Sequence, residues 1–353
     1  MKTQSSSNYI GIDLGDRRHA ICVLSAEGKI LKEQSVINSR RSLEKLSATY
    51  PGAVMVMEVG MHSPWTSRYL EALGHRVIVA NPRKTRAIWT NDRKDDKKDA
   101  RMLAKLARSD ESLLHPIRHS TEESQQDLLQ IKLRDNLVRQ RVDVISAVRF
   151  TLKGLGIATR SPNTNCFAKH ARKVLSEDHA DVLALVEPSL HVIDAMTEQI
   201  RALDKAIEAM ARDKYPETEY LTQIVGVGTI TSLTFILTIG DPTRFKRARD
   251  VAAYLGLVPR RDQSGQSDPQ LRITKAGDAY LRRLLVSAAQ YILGPFGPDC
   301  HLRRKGLKLA ERGGPRAKKK AVVAVARKLA VLMLFLWRDE QIYRPKYRAR
   351  RAA

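Results

Sequence analysis

The sequence is poor in cysteine, in aromatic residues and in acidic residues. Its three cysteines, Cys22, Cys166 and Cys300, lie far apart in 353 residues and form no CxxC pair. This spacing argues against a disulfide framework or a zinc ribbon and favours a reducing cytosol. Aromatic residues make up only 5% of the chain, but hydrophobic residues make up 43%. The chain can therefore fill a core, and its length predicts two domains of ordinary size.

Long apolar runs are missing as well. The N-terminal segment contains no apolar run of the length that a signal peptide needs, so we expect a cytoplasmic protein. The most apolar stretch, residues 321–337, is interrupted at its centre by Arg327 and Lys328. This pattern predicts a packed C-terminal helix rather than a membrane span.

The shortage of acidic residues leaves a large positive charge. The chain has 62 lysines and arginines against 38 acidic residues, a formal net charge of +24. The last 53 residues alone contain 17 lysines and arginines against three acidic residues. This charge disfavours an ordinary neutral metabolic enzyme and makes a polyanion such as nucleic acid the first expected partner.

The order of the predicted elements indicates the fold class of the first third of the chain. Strand patterns at 8–13, 20–25 and 29–36 precede a helix at 42–49, a strand at 53–58, a helix at 65–73, a strand at 76–79 and a helical pattern from Met102. Three strands before the first helix are typical of an RNase H-like domain, whereas a generic α/β fold alternates from the start. We therefore predict an α/β domain over residues 1–118, followed by α structure.

Helical periodicity dominates the middle of the chain. Apolar residues recur every seven positions at Ile131, Val138, Ile145 and Leu152. A second set alternates three and four apart, at Ile193, Met196, Ile200, Leu203, Ile207 and Met210. The second set predicts a coiled-coil seam about three heptads long. We assign residues 119–215 to a helical coiled-coil segment, in which 156–190 is a connection with a short helix, and 216–353 to a C-terminal domain. Packing within one chain and contact between two copies both explain the seam.

Acidic residues follow two apolar strands. Asp13 ends the first predicted strand and Glu58 ends the fourth. Carboxylates at the C-terminal ends of strands face the crevice where ligands bind in open sheets, and a pair of them can hold a hard cation. Asp96 and Asp99, three apart at the start of a helix, share a helix face. The alternatives are turn capping for the first pair and the helix dipole for the second. Four carboxylates around Mg²⁺ would permit phosphoryl chemistry.

Two motifs in the last third of the chain are candidates for contact with phosphate. Ser264 lies in a Pro/Gly/Ser-rich loop, and four cations that could hold a phosphate surround it: Arg260, Arg261, Arg272 and Lys275. A basic helix predicted at 275–291 adds Arg282 and Arg283 to these cations. The segment Gly226-Val-Gly228 resembles a helix-hairpin-helix element, whose N–H groups grip phosphate without reading sequence. An ordinary turn serine and a plain helix–helix turn are the simpler alternatives.

The ordered set of motifs resembles the DEDD transposases of the IS-one-ten family of insertion sequences, which are bridge-RNA-guided recombinases. The resemblance covers about residues 8–340 and rests on GIDLG, VMEVG, KDDKKDA, LTQIVGVGTITSLTFILTIGD, AAYLGLVPRRDQSG and RITKAGDAYLRRLLVSAA. It implies a Holliday-junction-resolvase-like first domain whose tetrad binds Mg²⁺. The tetrad would be Asp13, Glu58, Asp96 and Asp99. Asp95 replaces the family's usual threonine, so Asp95 and Asp96 both remain candidates, with the spacing to Ala100 favouring Asp96.

The same resemblance implies a nucleophilic serine in a Ser-Gly pair, which Ser264-Gly265 matches. The following QSDPQ departs from the glycine- and lysine-rich stretch of many relatives and leaves Ser267 as a second candidate. The implied function is a site-specific recombinase that moves an insertion sequence through a transient phosphoserine link to DNA. Its implied partners are donor and target DNA, a structured guide RNA and further copies of the chain, as dimers that assemble into tetramers. The implied location is the bacterial cytoplasm near the nucleoid.

Three other functions remain as alternatives. A metal-dependent junction resolvase would hydrolyse DNA with water and would need the acids but not Ser264. A nucleic-acid-binding protein with a vestigial acidic site would need neither. An actin-like ATPase is suggested by GIDLG alone and lacks a later glycine-rich phosphate loop after a strand. Three isolated histidines, His19, His62 and His75, show no metal-ligand spacing and are interpreted as packing or surface residues.

Overall fold

The structure is a computed structural model that describes residues 8–85, 95–161, 163–269, 271–314 and 316–346. The chain divides into two compact units, Met1–Glu122 and Glu123–Ala353. The described parts are a mixed α/β first unit with a five-stranded sheet and a second unit that is mostly helical. This architecture confirms the predicted order of an α/β domain followed by α structure.

The elements of the first unit follow the predicted order. They are β1 (Tyr9–Asp13), β2 (Arg18–Leu24), β3 (Ile30–Ile37), α1 (Arg40–Thr49), β4 (Val54–Glu58), α2 (Ser63–Ala72), β5 (Arg76–Ala80), α3 (Pro82–Thr85) and α4 (Asp96–Ser109), with a 3₁₀ turn at Glu111–Leu114. The sheet order is β3-β2-β1-β4-β5. β1, β2 and β3 are antiparallel neighbours, whereas β4 pairs in parallel with both β1 and β5. This mixed sheet is consistent with the predicted RNase H-like fold.

Each face of the sheet packs against helices. On one face, strand residues such as Ile12 and Met57 share a core with Leu43 of α1 and Leu70 of α2. On the other, Val56 and its neighbours share a core with Leu103 and other residues of α4. The sheet is therefore buried on both sides, which explains why β1 and β4 read as continuous apolar runs.

Gly11 allows α4 to lie directly on β1. A Cβ atom added at Gly11 would stand 1.9 Å from the carbonyl oxygen of Ala100 and 2.8 Å from the backbone nitrogen of Ala104. No side chain fits in that space, so only glycine permits this separation between the helix and the strand. The small side chains of Ala100 and Ala104 complete the close packing against β2.

The elements of the second unit are helices joined by loops. They are α5 (Glu122–Gly154), α6 (Phe167–Asp178), α7 (Ala180–Lys214), α8 (Thr218–Thr222), α9 (Thr229–Ile239), α10 (Asp250–Tyr254), α11 (Ala279–Leu293), α12 (His301–Ala310) and α13 (Ala317–Arg338). Short 3₁₀ turns lie at Thr164–Cys166 and Pro242–Arg244. The main core of this unit joins α9, α11 and α13, where Phe235 and Trp337 meet edge to face.

The two long helices α5 and α7 run antiparallel within one chain. Arg134 pairs with Asp204 at 2.8 Å, and the Arg141 guanidinium donates to the Thr197 hydroxyl at 3.1 Å. Residues further along α5 therefore contact residues nearer the start of α7, so the two helices are antiparallel. The predicted seam residues Ile193, Ile200 and Ile207 are buried. Packing within the chain is thus observed, and contact between copies stays a prediction.

Two helix boundaries differ from the predicted ones. α7 begins at Ala180, inside the predicted connection, and continues through Pro188, because Val182, Leu183 and Val186 pack against the core that α6 shares. α11 begins at Ala279 rather than Lys275. Asp278 caps it by accepting a hydrogen bond from the Leu281 N–H at 2.7 Å, and Lys275 and Gly277 have left-handed backbone with φ of 54° and 65°.

The C-terminal apolar stretch forms a packed helix, as predicted. In α13, Leu329, Met333 and Leu334 are fully buried in the main core, while Arg327 is exposed. Of the helices in the described part of the chain, none combines the length and the apolar character that a bilayer crossing requires.

Candidate functional site

Asp13 and Glu58 lie side by side at one edge of the sheet. β1 and β4 are parallel, and Ile12 is in register with Met57, so the next residue of each strand is an acid. Gly11 and Val56 face α4, and side chains two apart in a strand share a face. Asp13 and Glu58 therefore point to the same side of the sheet. Both are half-buried, and Glu58 accepts a hydrogen bond from the Thr85 hydroxyl at 3.3 Å.

The first turn of α4 lies at the same edge. Ala100 covers Gly11, whereas Arg108 at the far end of α4 reaches the Ala26 carbonyl beyond the opposite edge, at 3.5 Å. α4 therefore runs antiparallel to β1 and begins where β1 ends. Asp99 is half-buried and lies four residues before the buried Leu103, whereas Asp96 at the start of the helix is exposed. With Asp13 and Glu58, these edge acids lie on three separate elements that meet at one edge of the sheet.

Asp95 has a local structural contact. It is the N-cap of α4, and its carboxylate accepts a hydrogen bond from the Lys97 N–H at 3.1 Å. A capping carboxylate satisfies one of the unpaired N–H groups of the first turn. Between the two neighbouring acids, the structure gives Asp95 the capping role and leaves Asp96 in the first turn.

The acids fit a hard divalent cation in chemistry. Carboxylate oxygens are the ligands that such cations prefer. Among the described residues, however, no three histidine, cysteine, aspartate or glutamate side chains converge closely enough to hold a metal ion. Carboxylates repel one another, so a cation would be needed to draw them together. Residues 86–94, which include Lys94 of the predicted motif, lie outside the described residues.

The three histidines named above are packing or surface residues, as predicted. His75 is buried and bonds to the Ala53 carbonyl at 3.1 Å and to the Ser47 hydroxyl at 2.7 Å. His62 bonds to the Asp16 carboxylate at 2.9 Å. Burial lowers the pKa of His19, so this histidine is neutral at pH 7. Burial also raises the pKa of Cys22 to about 11, and all three cysteines are free thiols.

Ser264 lies at the tip of an exposed hairpin. Ser264 and Ser267 exchange backbone hydrogen bonds of 3.0 and 2.9 Å across a two-residue turn. Gly265, the first central residue, has a φ of 55°, the conformation that a type II′ turn requires at that position and that glycine supplies. The Ser-Gly pair is therefore explained by the turn. Within the described residues, no hydrogen bond engages the Ser264 hydroxyl.

Arg260 and Arg272 face each other across the stem of this hairpin. The Arg260 N–H donates to the Arg272 carbonyl at 2.8 Å, and Pro259 is in register with Ile273. Both side chains are exposed, and neither has an ion-pair partner in the described part of the chain. Like charges directly opposite each other on two strands are destabilising, so this pair favours the binding of an anion.

The other predicted cations have local contacts. Arg261 pairs with Asp268 across the hairpin at 3.2 Å. Arg283 pairs with Asp135 at 2.6 Å and lies over the Tyr280 ring. Lys275 lies at the base of the hairpin, where its N–H donates to the Gly256 carbonyl at 3.1 Å.

The base of the hairpin is rigid for reasons that the sequence did not reveal. A Cβ atom at Gly256 would stand 2.1 Å from the Ala276 nitrogen, and one at Gly277 would stand 2.3 Å from the Tyr254 carbonyl oxygen. Arg282, predicted to bind nucleic acid, donates from Nη1 to the carbonyls of Leu255 at 3.1 Å and Ala276 at 2.6 Å. It therefore fixes the base of the loop that carries Ser264.

The glycine hairpin connects α8 to α9, as predicted. Gly226 has a φ of 80°, and Gly228 is the N-cap of α9. Beside it is an open groove of about 480 Å³ between the hairpin and α11. Sequence reasoning missed three of its polar lining residues: Thr231, Ser287 and Tyr291. The four-residue spacing of Ser287 and Tyr291 on one helix face was the available signal.

Two family models match the chain. One, described as Transposase IS116/IS110/IS902 family, matches residues 218–300. The other, a DEDD model of IS110 type described as Transposase, matches residues 10–157. The first thus includes the glycine hairpin and the Ser264 hairpin, and the second includes all four edge acids. A DEDD transposase domain implies a divalent metal ion, commonly Mg²⁺.

Curated relatives include transposases from several bacteria. The transposase for insertion sequence element IS1111A of Coxiella burnetii is 25% identical over 97% of this chain and 93% of its own length. The pilin gene-inverting protein of Moraxella lacunata is 32% identical over 33% of this chain and 37% of its own length. The transposase for insertion sequence element IS1328 of Yersinia enterocolitica is 30% identical over 80% of this chain and 82% of its own length. With this coverage and both model matches, the chain belongs to the IS116/IS110/IS902 family of transposases, which are enzymes that act on DNA.

Proposed function

We propose that this transposase cuts and rejoins DNA at specific sites through a transient phosphoserine link at Ser264. One observation carries the proposal: an exposed serine hydroxyl lies at the tip of a hairpin whose stem carries the opposed pair Arg260 and Arg272. A serine hydroxyl is a weak nucleophile, and cations that neutralise a phosphate assist its attack. The hairpin provides both on one exposed surface.

The proposed chemistry is a reversible transesterification. The Ser264 oxygen bonds to the DNA phosphorus and loses its proton to a base, while the bond from phosphorus to the 3′ oxygen breaks and that oxygen takes up a proton. Attack of another 3′ hydroxyl on the phosphoserine restores a phosphodiester and releases Ser264. The number of phosphoester bonds is unchanged, so no ATP is needed. Arg260 and Arg272 would hold the phosphate during both steps.

The edge acids are proposed to hold the divalent ion. Asp13, Glu58, Asp96 and Asp99 lie on three elements that the sheet and α4 bring to one edge, and the capping contact of Asp95 supports Asp96 as the ligand. A bound Mg²⁺ would neutralise the phosphate and ease the departure of the 3′ oxygen. The half-burial of Asp13 and Glu58 limits their motion and so pre-positions their oxygens.

A structured guide RNA is the proposed source of sequence specificity. The net charge of +24 and the basic C-terminal segment support binding to nucleic-acid backbones rather than to particular bases. Gly226, Gly228, Arg260, Arg261, Arg272, Lys275, Arg282 and Arg283 are the proposed nucleic-acid contacts. Dimers that assemble into tetramers, and location at the nucleoid, complete the proposal.

The covalent link is the decisive test of this function. Purified wild type, Ser264→Ala and Ser267→Ala would each be incubated with Mg²⁺, guide RNA and element-end DNA labelled on the strand that keeps the 5′ phosphate. We expect a labelled protein–DNA adduct with wild type and Ser267→Ala and none with Ser264→Ala. Strand cleavage that persists in Ser264→Ala would instead favour the water-dependent resolvase, and an adduct lost only in Ser267→Ala would move the nucleophile to that residue.

A further inference from the structure

The groove beside the glycine hairpin contains a helix N-terminus without a side-chain cap. Gly228 is the N-cap of α9 and has no side chain to accept from the first turn. The first intrahelical bond runs from the Ser232 N–H to the Gly228 carbonyl at 3.0 Å. The N–H groups of Thr229, Ile230 and Thr231 therefore lack an acceptor within the helix. Together with the helix dipole, they attract a negative group.

Thr231 supplies an independent sign of a missing ligand in the same groove. Its side chain is 9% exposed and lines the groove, and its hydroxyl has no hydrogen-bond partner among the described residues. The neighbouring Ser232 and Thr234 differ, because their hydroxyls donate to the carbonyls of Gly228 at 3.2 Å and Ile230 at 2.6 Å. The Thr231 hydroxyl is therefore available to bond to a ligand in the groove.

The opposite wall of the groove is aromatic and partly exposed. Tyr291 of α11 is 52% exposed, and its ring lies against Gly226, where an added Cβ would stand 3.2 Å from a ring carbon. Ser287, one helical turn before it, has an exposed hydroxyl in the same wall. The groove thus offers hydrogen-bond donors on one side and an aromatic ring on the other, within about 480 Å³, a volume in the usual range for small-molecule sites.

We infer that this groove binds one unpaired nucleotide of a single strand, with its phosphate on the N-terminus of α9 and the Thr231 hydroxyl, and its base stacked on Tyr291. Stacking on an aromatic ring needs a base outside a duplex, so the site selects single-stranded over double-stranded nucleic acid. The inference rests on the proposed nucleic-acid function and adds to it the kind of strand that this hairpin binds.

Substitutions at Gly228 separate binding from folding. A Cβ at Gly228 meets nothing within 4 Å, and its extended backbone suits an N-cap. Gly228→Asp and Gly228→Asn would cap α9 and hold or raise Tm, but their side chains would occupy the N–H groups. Gly228→Ala leaves those groups free. We expect affinity for a labelled 12-nucleotide single strand to fall in the order wild type and Ala, then Asn, then Asp, with at least a tenfold loss for Asp.

The aromatic wall has its own matched pair. Tyr291→Phe keeps the ring and Tyr291→Ala removes it, so we expect near wild-type affinity for the first and about a tenfold loss for the second. Fluorescence anisotropy would be measured with oligo-dT, oligo-U and a 12-base-pair duplex. Loss with both single strands supports a nucleotide site common to DNA and RNA. Loss of affinity for only one of them assigns the bound strand to that polymer. An equal loss of affinity for the duplex would contradict the inference that the bound base is unpaired.

The failure of this inference is distinguishable from that of the proposed function. If Gly228→Asp and Tyr291→Ala bind single strands as wild type does, the groove inference is wrong, whatever the adduct assay with Ser264→Ala shows. If Ser264→Ala still forms the adduct, the phosphoserine proposal is wrong, and the groove measurements remain interpretable. Competition by inorganic phosphate that is unaffected by Gly228→Asp would show that the anion binds elsewhere and would also overturn the inference.

Discussion

The two units concentrate opposite charges at their candidate sites. In the first, Asp13, Glu58 and the first turn of α4 bring carboxylates to one edge of a rigid sheet. In the second, Arg260 and Arg272 face each other on an exposed hairpin. Either arrangement costs electrostatic free energy in the free protein, and a ligand of the opposite charge would recover it. The difference lies in burial: Asp13 and Glu58 are half-buried at the ends of core strands, whereas the two arginines are exposed on a hairpin.

Removing the acids should have the largest effect on activity and little effect on folding. In Asp13→Asn combined with Glu58→Gln, we expect strand cleavage to fall about 10³-fold, because charge stabilisation by a bound ion is worth several kcal/mol. Tm should hold or rise as repulsion between the carboxylates is relieved. Asp95→Asn is the matched control, since asparagine caps a helix as well as aspartate does. Calorimetric Mg²⁺ binding that is unaltered by the double substitution would place the ion elsewhere.

Moving α4 away from β1 should disturb the acidic edge without touching an acid. Gly11→Ala places a methyl group 1.9 Å from the Ala100 carbonyl oxygen, so we expect unfolding free energy to fall by about 3 kcal/mol and cleavage to fall with it. Gly60→Ala is the control, because an added Cβ there meets nothing within 4 Å. Chemical denaturation would measure both. If the denaturation midpoint of Gly11→Ala equals that of the wild type, α4 can move away from β1 without cost.

The base of the Ser264 hairpin should be sensitive to loss of Arg282. Arg282→Met removes the donors to the Leu255 and Ala276 carbonyls, and we expect a loss of about 1–3 kcal/mol in unfolding free energy together with slower adduct formation. Arg283→Met is the neighbouring control, since its ion pair with Asp135 is partly exposed and should contribute less. Equal losses for the two variants would contradict the role assigned to Arg282.

Neutralising one arginine of the opposed pair should weaken DNA binding but not the fold. For Arg260→Gln or Arg272→Gln, the log–log slope of affinity against salt should become shallower by about one unit. Arg261→Gln removes a guanidinium that Asp268 already compensates, so its effect on the slope should be smaller. Affinity measured at four or more salt concentrations would decide, and identical slopes for all three variants would show that the opposed pair has no special role.

A last effect, confined to alkaline pH, concerns a second group of cations, on α12 and α13. Burial and the nearby Lys305 and Arg327 lower the pKa of Lys328 from 10.5 to about 8. Between these values the unfolded chain binds more protons than the folded one, so stability should rise as pH increases from 8 to 10.5. Lys328→Met should remove that rise, as Tm measurements across the window would show. Lys318→Met, on an exposed position of the same helix, should leave it intact.

Local patterns in the sequence predicted the elements and the residues at their ends. The apolar runs before Asp13 and Glu58 predicted strands that end in acids, and the glycines around Val227 predicted the hairpin before α9. Long-range contacts could not be predicted in this way. The close approach of Ala100 to Gly11 and the hydrogen bond from Arg282 to the Leu255 carbonyl join residues that are distant in sequence. The groove around Thr231 also needs α11, some fifty residues further along the chain.

The start of α11 shows a related limit. The residues from Lys275 onward read as a basic helix, but the left-handed backbone at Lys275 and Gly277 depends on the nearby chain at Tyr254 and Gly256. A pattern in one sequence does not show which distant residues become neighbours in the fold. The same reason explains why Arg282 read as a surface cation and not as a support for the hairpin.

The contacts that fix the base of the Ser264 hairpin have a consequence for the evolution of the family. Because Gly256, Gly277 and Arg282 fix the loop where it leaves the core, the residues beyond Ser264 can vary in composition without unfolding the domain. Exchange of the loop between residues 258 and 274 with that of a relative should therefore leave the domain folded. Substrate contacts in the loop can then change during evolution while the core that supports it is retained.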